Sequence, residues 1–185
     1  MKLALGPRGV AILVVVGIVV LGLLGWMVLA YNGLVAKDQT VLAQWAQVEN
    51  QYQRKIDLIP QLVAVTSQYQ QFEQSLLTNI TELRSRWQNA TSFVERVNIT
   101  NALDVNLFYL VATYEAYPTL SSIEVVRDLF FSLEGTENRI TVERSRYNDA
   151  VRVYNTQIRS FPDLLIAGMF GFQDRPLYDP IPGGP

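Results

Sequence analysis

The stretch Val10–Ala30 reads VAILVVVGIVVLGLLGWMVLA, and it decides the fold because it contains no charge and no strongly polar side chain. As an α-helix rising about 1.5 Å per residue, it is about 30 Å long, which matches the hydrocarbon core of a bilayer. Trp26 and Tyr31 stand at its C-terminal end, where amphipathic rings favour the membrane interface. A cleaved signal peptide is the alternative, but its apolar region would be shorter and would end in small residues. We therefore predict a transmembrane helix over 10–30.

The basic residues on either side of this span predict its orientation. Lys2, Arg8 and the α-amino group precede it, whereas Lys37 after it is followed by Asp38, and the next basic residue is Arg54. The positive-inside rule then places the N-terminus in the cytoplasm. We expect a single-pass protein of the cell membrane with its remaining chain on the extracytoplasmic side.

Composition argues against several classes of function. The 185 residues carry a net charge of −2, and the 15 Lys and Arg residues are scattered, so no nucleic-acid partner is expected. The chain has no His and no Cys, which removes the commonest general base and the thiolate metal ligands. We predict no enzyme, no cofactor, no metal site and no small-molecule substrate.

Beyond the span, apolar residues recur every three or four positions, as on the buried face of an amphipathic helix. A first stripe runs from Val41 to Ile59 and is expected to continue the membrane helix. Pro60 is expected to end that helix and to open the next one, whose stripe runs from Leu62 to Trp87.

Two capping boxes predict the starts of the last two helices. Ser92–Glu95 and Ser121–Glu124 both have the S-x-x-E form. The third helix should stop before Pro118, and the fourth should keep its phase across Gly135 and end before Pro162. Short connections between four helices predict an all-α fold, in which the transmembrane helix continues into an up-down antiparallel four-helix bundle.

The predicted organisation has five parts. They are a short N-terminal tail over 1–9, the transmembrane helix over 10–30, the bundle over 31–160, an apolar membrane-proximal segment over 161–175, and a Pro/Gly-rich tail over 176–185 that is extended or disordered.

The apolar segment is the first candidate site. Because the first helix leaves the membrane, the fourth should return to it and bring this segment near the lipid headgroups. The residues expected to contact the membrane surface or a neighbouring protomer are Leu164, Leu165, Ile166, Met169, Phe170 and Phe172. The alternative is that the segment folds back over the end of the bundle.

Three N-x-[ST] sequons lie around the turn between the second and third helices, at Asn79, Asn89 and Asn98. Chance alone predicts about one such sequon in a chain of this composition. If the host glycosylates surface proteins, this end of the bundle carries sugar; coincidence is the alternative.

Polar residues on the inner faces form a further candidate. We predict a buried polar network that fixes helix register and comprises Asp57, Glu137, Arg139, Asn148 and Asn155. A ligand site there is the less favoured interpretation.

Several motifs resemble the LemA family over almost the whole chain. Trp45–Tyr52 (WAQVENQY) with Arg54–Val63 (RKIDLIPQLV), Glu115–Leu120, Thr136–Ile140 (TENRI) and Phe170–Phe172 are similar to family motifs in order and spacing. The resemblance implies a single-pass membrane protein with a helical bundle, regarded as a membrane-associated scaffold whose biochemical activity is poorly defined. Most relatives are treated as cytoplasmic in their bundle, which conflicts with the orientation predicted from charge.

The leading functional hypothesis is a membrane-anchored, non-enzymatic scaffold. Its expected partners are the lipid bilayer and either further copies of itself or other membrane and envelope proteins. A ligand-sensing or surface-exposed glycoprotein ectodomain is the alternative.

Overall fold

The computed structural model describes residues 7–121 and 123–178, and all regular secondary structure within them is helical. The helices are α1 (Pro7–Thr66), α2 (Gln74–Asn89), α3 (Phe93–Ala116), α4 (Pro118–Ser121), α5 (Glu124–Arg159) and α6 (Asp163–Phe170). Contacts divide the chain into two compact units: Met1–Leu42 with Asp149–Pro176, and Ala43–Asn148 with Leu177–Pro185. The predicted all-α class is confirmed.

Helix α1 contains the candidate membrane span. Its most apolar 18-residue window has a mean hydropathy of 2.9, and none of that window is buried against the described chain. Leu21 and Leu29 are 70% and 73% exposed, a surface that lipid tails cover favourably and water does not. The helix starts at Pro7, within the tail predicted over 1–9, and passes Asn32–Gly33 without a break; residues 1–6 lie outside the described part.

The helix break expected at Pro60 is wrong, because α1 runs through this proline to Thr66. A proline inside a helix removes one backbone hydrogen bond and costs about 3 kcal/mol. Pro60 is exposed, however, while Ile56, Ile59 and Leu62 stay buried along one face. Burying each such side chain contributes about 1.5–3 kcal/mol, so packing outweighs the proline. The chain reverses over 67–73 instead.

Four helical segments form the bundle in the second unit. The apolar stripes predicted from the sequence supply most of its core. The residues buried there include Val48, Tyr52, Ile56, Ile59, Leu77, Ile80, Leu83, Trp87, Ile99, Leu103, Leu107, Leu110, Val126, Phe130, Leu133 and Ile140. Ser92 caps α3 as expected, since its hydroxyl accepts a hydrogen bond from the Glu95 amide at 3.2 Å. The predicted bundle is confirmed.

Helix α5 is continuous across Gly135, as predicted, and has 36 residues. Ile140 on its far side is fully buried, so the apolar phase holds through the glycine. The capping box predicted at 121–124 falls outside the described residues, because Ser122 and the side chain of Ser121 are not among them.

Helix α6 belongs to the first unit and ends at Gly171. This glycine has φ +75°, a left-handed conformation that side chains with a Cβ rarely adopt. The turn lets the Phe172 amide donate to the Ala167 carbonyl at 3.0 Å, which closes the helix end. The chain then continues without regular structure to Tyr178, which is 1% exposed. The tail predicted as extended or disordered from 176 is therefore packed up to this residue, and 179–185 lie outside the description.

Candidate functional site

Helix α6 presents an apolar face to solvent in the first unit. Leu164, Leu165, Met169 and Phe170 are between 49% and 69% exposed, whereas Ile166 is 2% exposed. Ile166 and Phe172 were predicted as contact residues together with these four, but Ile166 is buried in the packing that holds α6 in place, and Phe172 is half-buried beside Tyr31. The exposed face therefore comprises the other four.

This face adjoins the end of the candidate membrane span. The ring centroid of Tyr31, the first residue after the apolar stretch, lies 4.8 Å from that of Phe170 and 5.7 Å from that of Phe172. Aromatic pairs at such distances contribute about 0.5–1.5 kcal/mol beyond area burial. These contacts hold α6 against α1, directly after the candidate span.

An open cleft of about 510 Å³ lies beside these rings, lined by α1, α5 and the chain from Phe170 to Pro176. Two ion pairs border it. Arg175 donates to both oxygens of Asp38 at 2.8 and 2.9 Å, and Arg159 donates to Asp174 at 3.0 and 2.5 Å. Such two-point geometry fixes the guanidinium and the carboxylate relative to each other.

Tyr154 of α5 also lines the cleft. This residue is 1% exposed. Burial, followed by the negative charge of Asp38, raises the pKa of Tyr154 above 10.0, so the phenol keeps its proton at neutral pH. It can therefore act as a donor and an acceptor.

The two asparagines predicted for the polar network bind backbone instead. In the first unit, Asn155 donates to the Arg175 carbonyl at 2.8 Å and accepts from the Arg175 amide at 2.9 Å. In the second unit, Asn148 donates to the Tyr178 carbonyl at 2.9 Å and accepts from the Tyr178 amide at 2.8 Å. Each amide satisfies both backbone groups of an extended residue that has no ladder partner.

A buried charge cluster is present in the second unit, but only one of its members was predicted. Lys55, 2% exposed, donates to Asp104 at 2.6 Å and to the carboxylate of Glu137. Asp104 also accepts from Arg144 at 2.5 Å and from the Tyr52 hydroxyl at 3.1 Å. Glu137 is the predicted member. Lys55, Asp104, Arg144 and Tyr52 were not predicted. They lie on or beside the apolar stripes, which sequence periodicity alone identifies only as hydrophobic core.

Tyr178 completes this cluster from the C-terminal segment. Its hydroxyl lies 2.8 Å from that of Thr100 and 3.1 Å from that of Tyr52, and it accepts from Arg144 at 2.9 Å. The Arg144 guanidinium carbon lies 4.4 Å from the centroid of the Tyr178 ring, a cation–π distance. Burial raises the pKa of Tyr178 to about 12, although the charge of Arg144 opposes that rise.

The other titrating groups of the cluster respond to burial and to one another. Burial alone would lower the pKa of Lys55, but Asp104 and Glu137 outweigh it and raise that pKa above 10.5. Burial raises the pKa of Asp104 against the pull of Lys55, and it lowers the pKa of Arg144. Because these charges are paired with each other, the cluster is suited to fixing helix positions.

The burial expected of Asp57 and Arg139 is wrong, since both residues are exposed. Asp57 follows the buried Ile56, and one residue along a helix turns a side chain by about 100°, away from the core face. It accepts a hydrogen bond from Gln53 at 2.7 Å on that outer surface. Among the residues that the structure describes, no group of three Asp and Glu side chains is placed to hold a metal ion.

All three sequon asparagines, Asn79, Asn89 and Asn98, are exposed on α2 or α3. Asn89 is the last residue of α2, and its amide donates to the Ser85 carbonyl at 2.8 Å. Their accessibility is compatible with glycosylation, which stays a prediction.

The sequence is similar to a known protein family and to several of its members. Residues 44–182 match the model of the LemA family. The chain is 24% identical to Magnetosome protein MamQ 2 and to Magnetosome protein MamQ 1 of Paramagnetospirillum magneticum, over 99% of this chain and 76% of each relative. It is 22% identical to Magnetosome protein MamQ of Magnetospirillum gryphiswaldense, over 85% of this chain and 68% of the relative. Since the family model covers most of the sequence, the chain belongs to the LemA family.

Proposed function

We propose that this protein is a membrane-anchored, non-enzymatic scaffold that self-associates at the membrane surface through the exposed face of α6. The observation that carries the proposal is the group of four large apolar side chains, Leu164, Leu165, Met169 and Phe170, left in solvent beside the end of the candidate span. Contiguous exposed apolar patches on soluble surfaces usually mark contact sites.

The family and the matched relatives support the coarser part of this proposal. Membership of the LemA family and the candidate membrane span support a membrane-associated, non-enzymatic role. The relatives are named as magnetosome proteins, and we carry over from those names only an association with a membrane compartment.

A second copy of the chain is the occupant that the geometry favours for α6. Every copy held by the same span presents its α6 at the same height, so equal faces meet at high effective concentration. A two-fold contact buries the same patch on both copies. Asp163 is the acidic residue in the first turn of α6. Its carboxylate accepts a hydrogen bond from Gln157 at 2.6 Å, so its charge is partly compensated within the same copy.

The full-length chain with Leu165 and Met169 both changed to Gln tests this proposal. These residues are 54% and 69% exposed and stand four positions apart, hence on one helix face. The wild type should be oligomeric in nanodiscs or mild detergent by cross-linking and native mass spectrometry, and the variant should be mainly monomeric. Val153→Gln, at a 53% exposed position of α5, is the matched control and should leave the oligomer intact.

Two outcomes would contradict self-association through α6. One is a wild type that remains monomeric at every protein-to-lipid ratio. The other is a double variant with an unchanged oligomer but a shallower insertion of α6, measured by quenching with lipids that carry quenchers at known depths. The second outcome would assign the face to lipid.

For orientation, we infer that the bundle lies outside the cytoplasm. The support is the charge balance around the span and the exposure of Asn79, Asn89 and Asn98. Protease treatment of intact cells should cleave the bundle, and intact mass should show added mass that Asn89→Gln reduces. A protected bundle with the mass of the bare polypeptide would place it in the cytoplasm.

A further inference from the structure

We infer that the cleft at the membrane-proximal end of the first unit binds a zwitterionic phospholipid headgroup with a primary ammonium, of the phosphoethanolamine kind. This inference goes beyond scaffolding and does not rest on self-association, because Leu165 and Met169 do not line the cleft. Three properties of the cleft carry it: its height, its charge and a tyrosine hydroxyl in its lining.

The position of the cleft relative to the span sets its height. It is lined along α1 by residues from Tyr31 to Gln39, and eight helical residues rise about 12 Å. Ala30 ends the apolar stretch, and the headgroup layer of each leaflet is about 5–8 Å thick. The cleft therefore begins at the hydrocarbon boundary and extends through the headgroup layer, where lipid is the most concentrated ligand.

The lining carries both signs of charge. Asp38 and Asp174 contribute carboxylates and Arg175 a guanidinium, which suits a headgroup that contains an ammonium and a phosphate better than one with a single charge. The side chain of Asp174 is 49% exposed. A carboxylate offers about four lone-pair sites, so Asp174 can accept from an ammonium while it remains paired with Arg159.

The hydroxyl of Tyr154 indicates which ammonium fits. Tyr154 is 1% exposed and lines the cleft. Its neutral hydroxyl can accept a hydrogen bond from a primary ammonium, whereas a trimethylated ammonium has no N–H to donate. The rings of Tyr31 and Phe170 supply the apolar wall on the membrane side, where an ammonium also gains cation–π contact.

The test measures lipid retention by the full-length protein. Native mass spectrometry would follow binding of phosphatidylethanolamine, phosphatidylcholine and phosphatidylglycerol with identical acyl chains. Phosphatidylethanolamine should bind about tenfold more tightly than the other two. Tyr154→Phe should lower its affinity by about three- to tenfold, and Gln39→Ala, at an exposed position of the lining, should lower it without affecting the core. Tyr109→Phe, a 58% exposed tyrosine outside the cleft, is the matched control and should change nothing.

Soluble phosphoethanolamine distinguishes a lipid from a free headgroup. It should compete at least tenfold more weakly than the lipid, since it is not held at the height of the cleft. Equal retention of the three lipids, unchanged binding by Tyr154→Phe and Gln39→Ala, or a soluble compound that binds as tightly as the lipid would each overturn the inference.

Discussion

Replacing Lys55 by Met should destabilise the bundle by about 3 kcal/mol, and the structure sets this magnitude. Lys55 is 2% exposed and pairs with Asp104 and Glu137. Removing one member of a buried ion pair typically costs about 3–5 kcal/mol, because the partner remains buried and uncompensated. Two features reduce that cost here: Glu137 has a 40% exposed side chain that water can reach, and Arg144 still contacts Asp104 at 2.5 Å. We therefore expect the lower end of the range.

The assay is thermal and urea unfolding of the full-length protein in mild detergent, followed by far-UV circular dichroism. For a chain of this size, about 3 kcal/mol corresponds to a fall in Tm of about 6–12 °C. Arg139→Met is the matched control, since it removes a cation that the sequence placed in the same network but that is exposed in the structure. It should change the free energy of unfolding by at most about 0.5 kcal/mol.

A double variant isolates the interaction itself. Asp104→Asn added to Lys55→Met should cost less than the sum of the two single changes, because the second change removes the charge that the first leaves buried. The reasoning would be refuted by a Lys55→Met protein as stable as Arg139→Met, or by strict additivity in the double variant.

The remaining predictions concern Tyr178 and two helix ends. Since the pKa of Tyr178 rises from 10.0 to about 12 on folding, the unfolded state loses the phenolic proton first, and stability should fall by about 2 kcal/mol between pH 10 and 12. Tyr178→Phe should lack this part of the pH dependence, measured by urea unfolding at each pH. The raised pKa of Lys55 acts in the same direction, because its stabilisation is complete below pH 10.5 and is lost as the pH rises through the folded value, and this part should remain in Tyr178→Phe. Ser92→Ala should cost about 1 kcal/mol, because it removes the oxygen that caps α3, and an unchanged Tm would contradict that role. Gly171→Ala should cost about 1–2 kcal/mol through its left-handed φ. Gly168→Ala, inside α6 with no atom within 4 Å of an added Cβ, should be neutral or stabilising, so only Gly171→Ala should lower the Tm.

Local periodicity in the sequence determined the helices, the candidate span and the face that each helix buries. Most positions of the apolar stripes on α1, α2 and α5 are core, among them Val48, Ile80 and Ile140, because a spacing of three and four expresses a property of a single helix. On α3 the pattern was less reliable, since Phe108 is apolar and yet 55% exposed. Helix α5 was predicted to continue through Gly135, and it does, because the apolar positions before and after the glycine lie on the same helix face. The motif at Ser92 was equally readable, because a cap involves residues only three positions apart.

Tertiary packing decided what no local pattern contains. The run of α1 through Pro60 depends on the core that Ile56 and Leu62 enter, and this core outweighs the local preference for a break. The pairing of Lys55 with Asp104 joins residues 49 positions apart, and the hydrogen bond between the hydroxyls of Tyr52 and Tyr178 joins residues 126 apart. Helix packing determines that Lys55 is buried and that Tyr178 packs beside it. The sequence does not contain this information, because electrostatic and packing energies depend on distance in space and not along the chain.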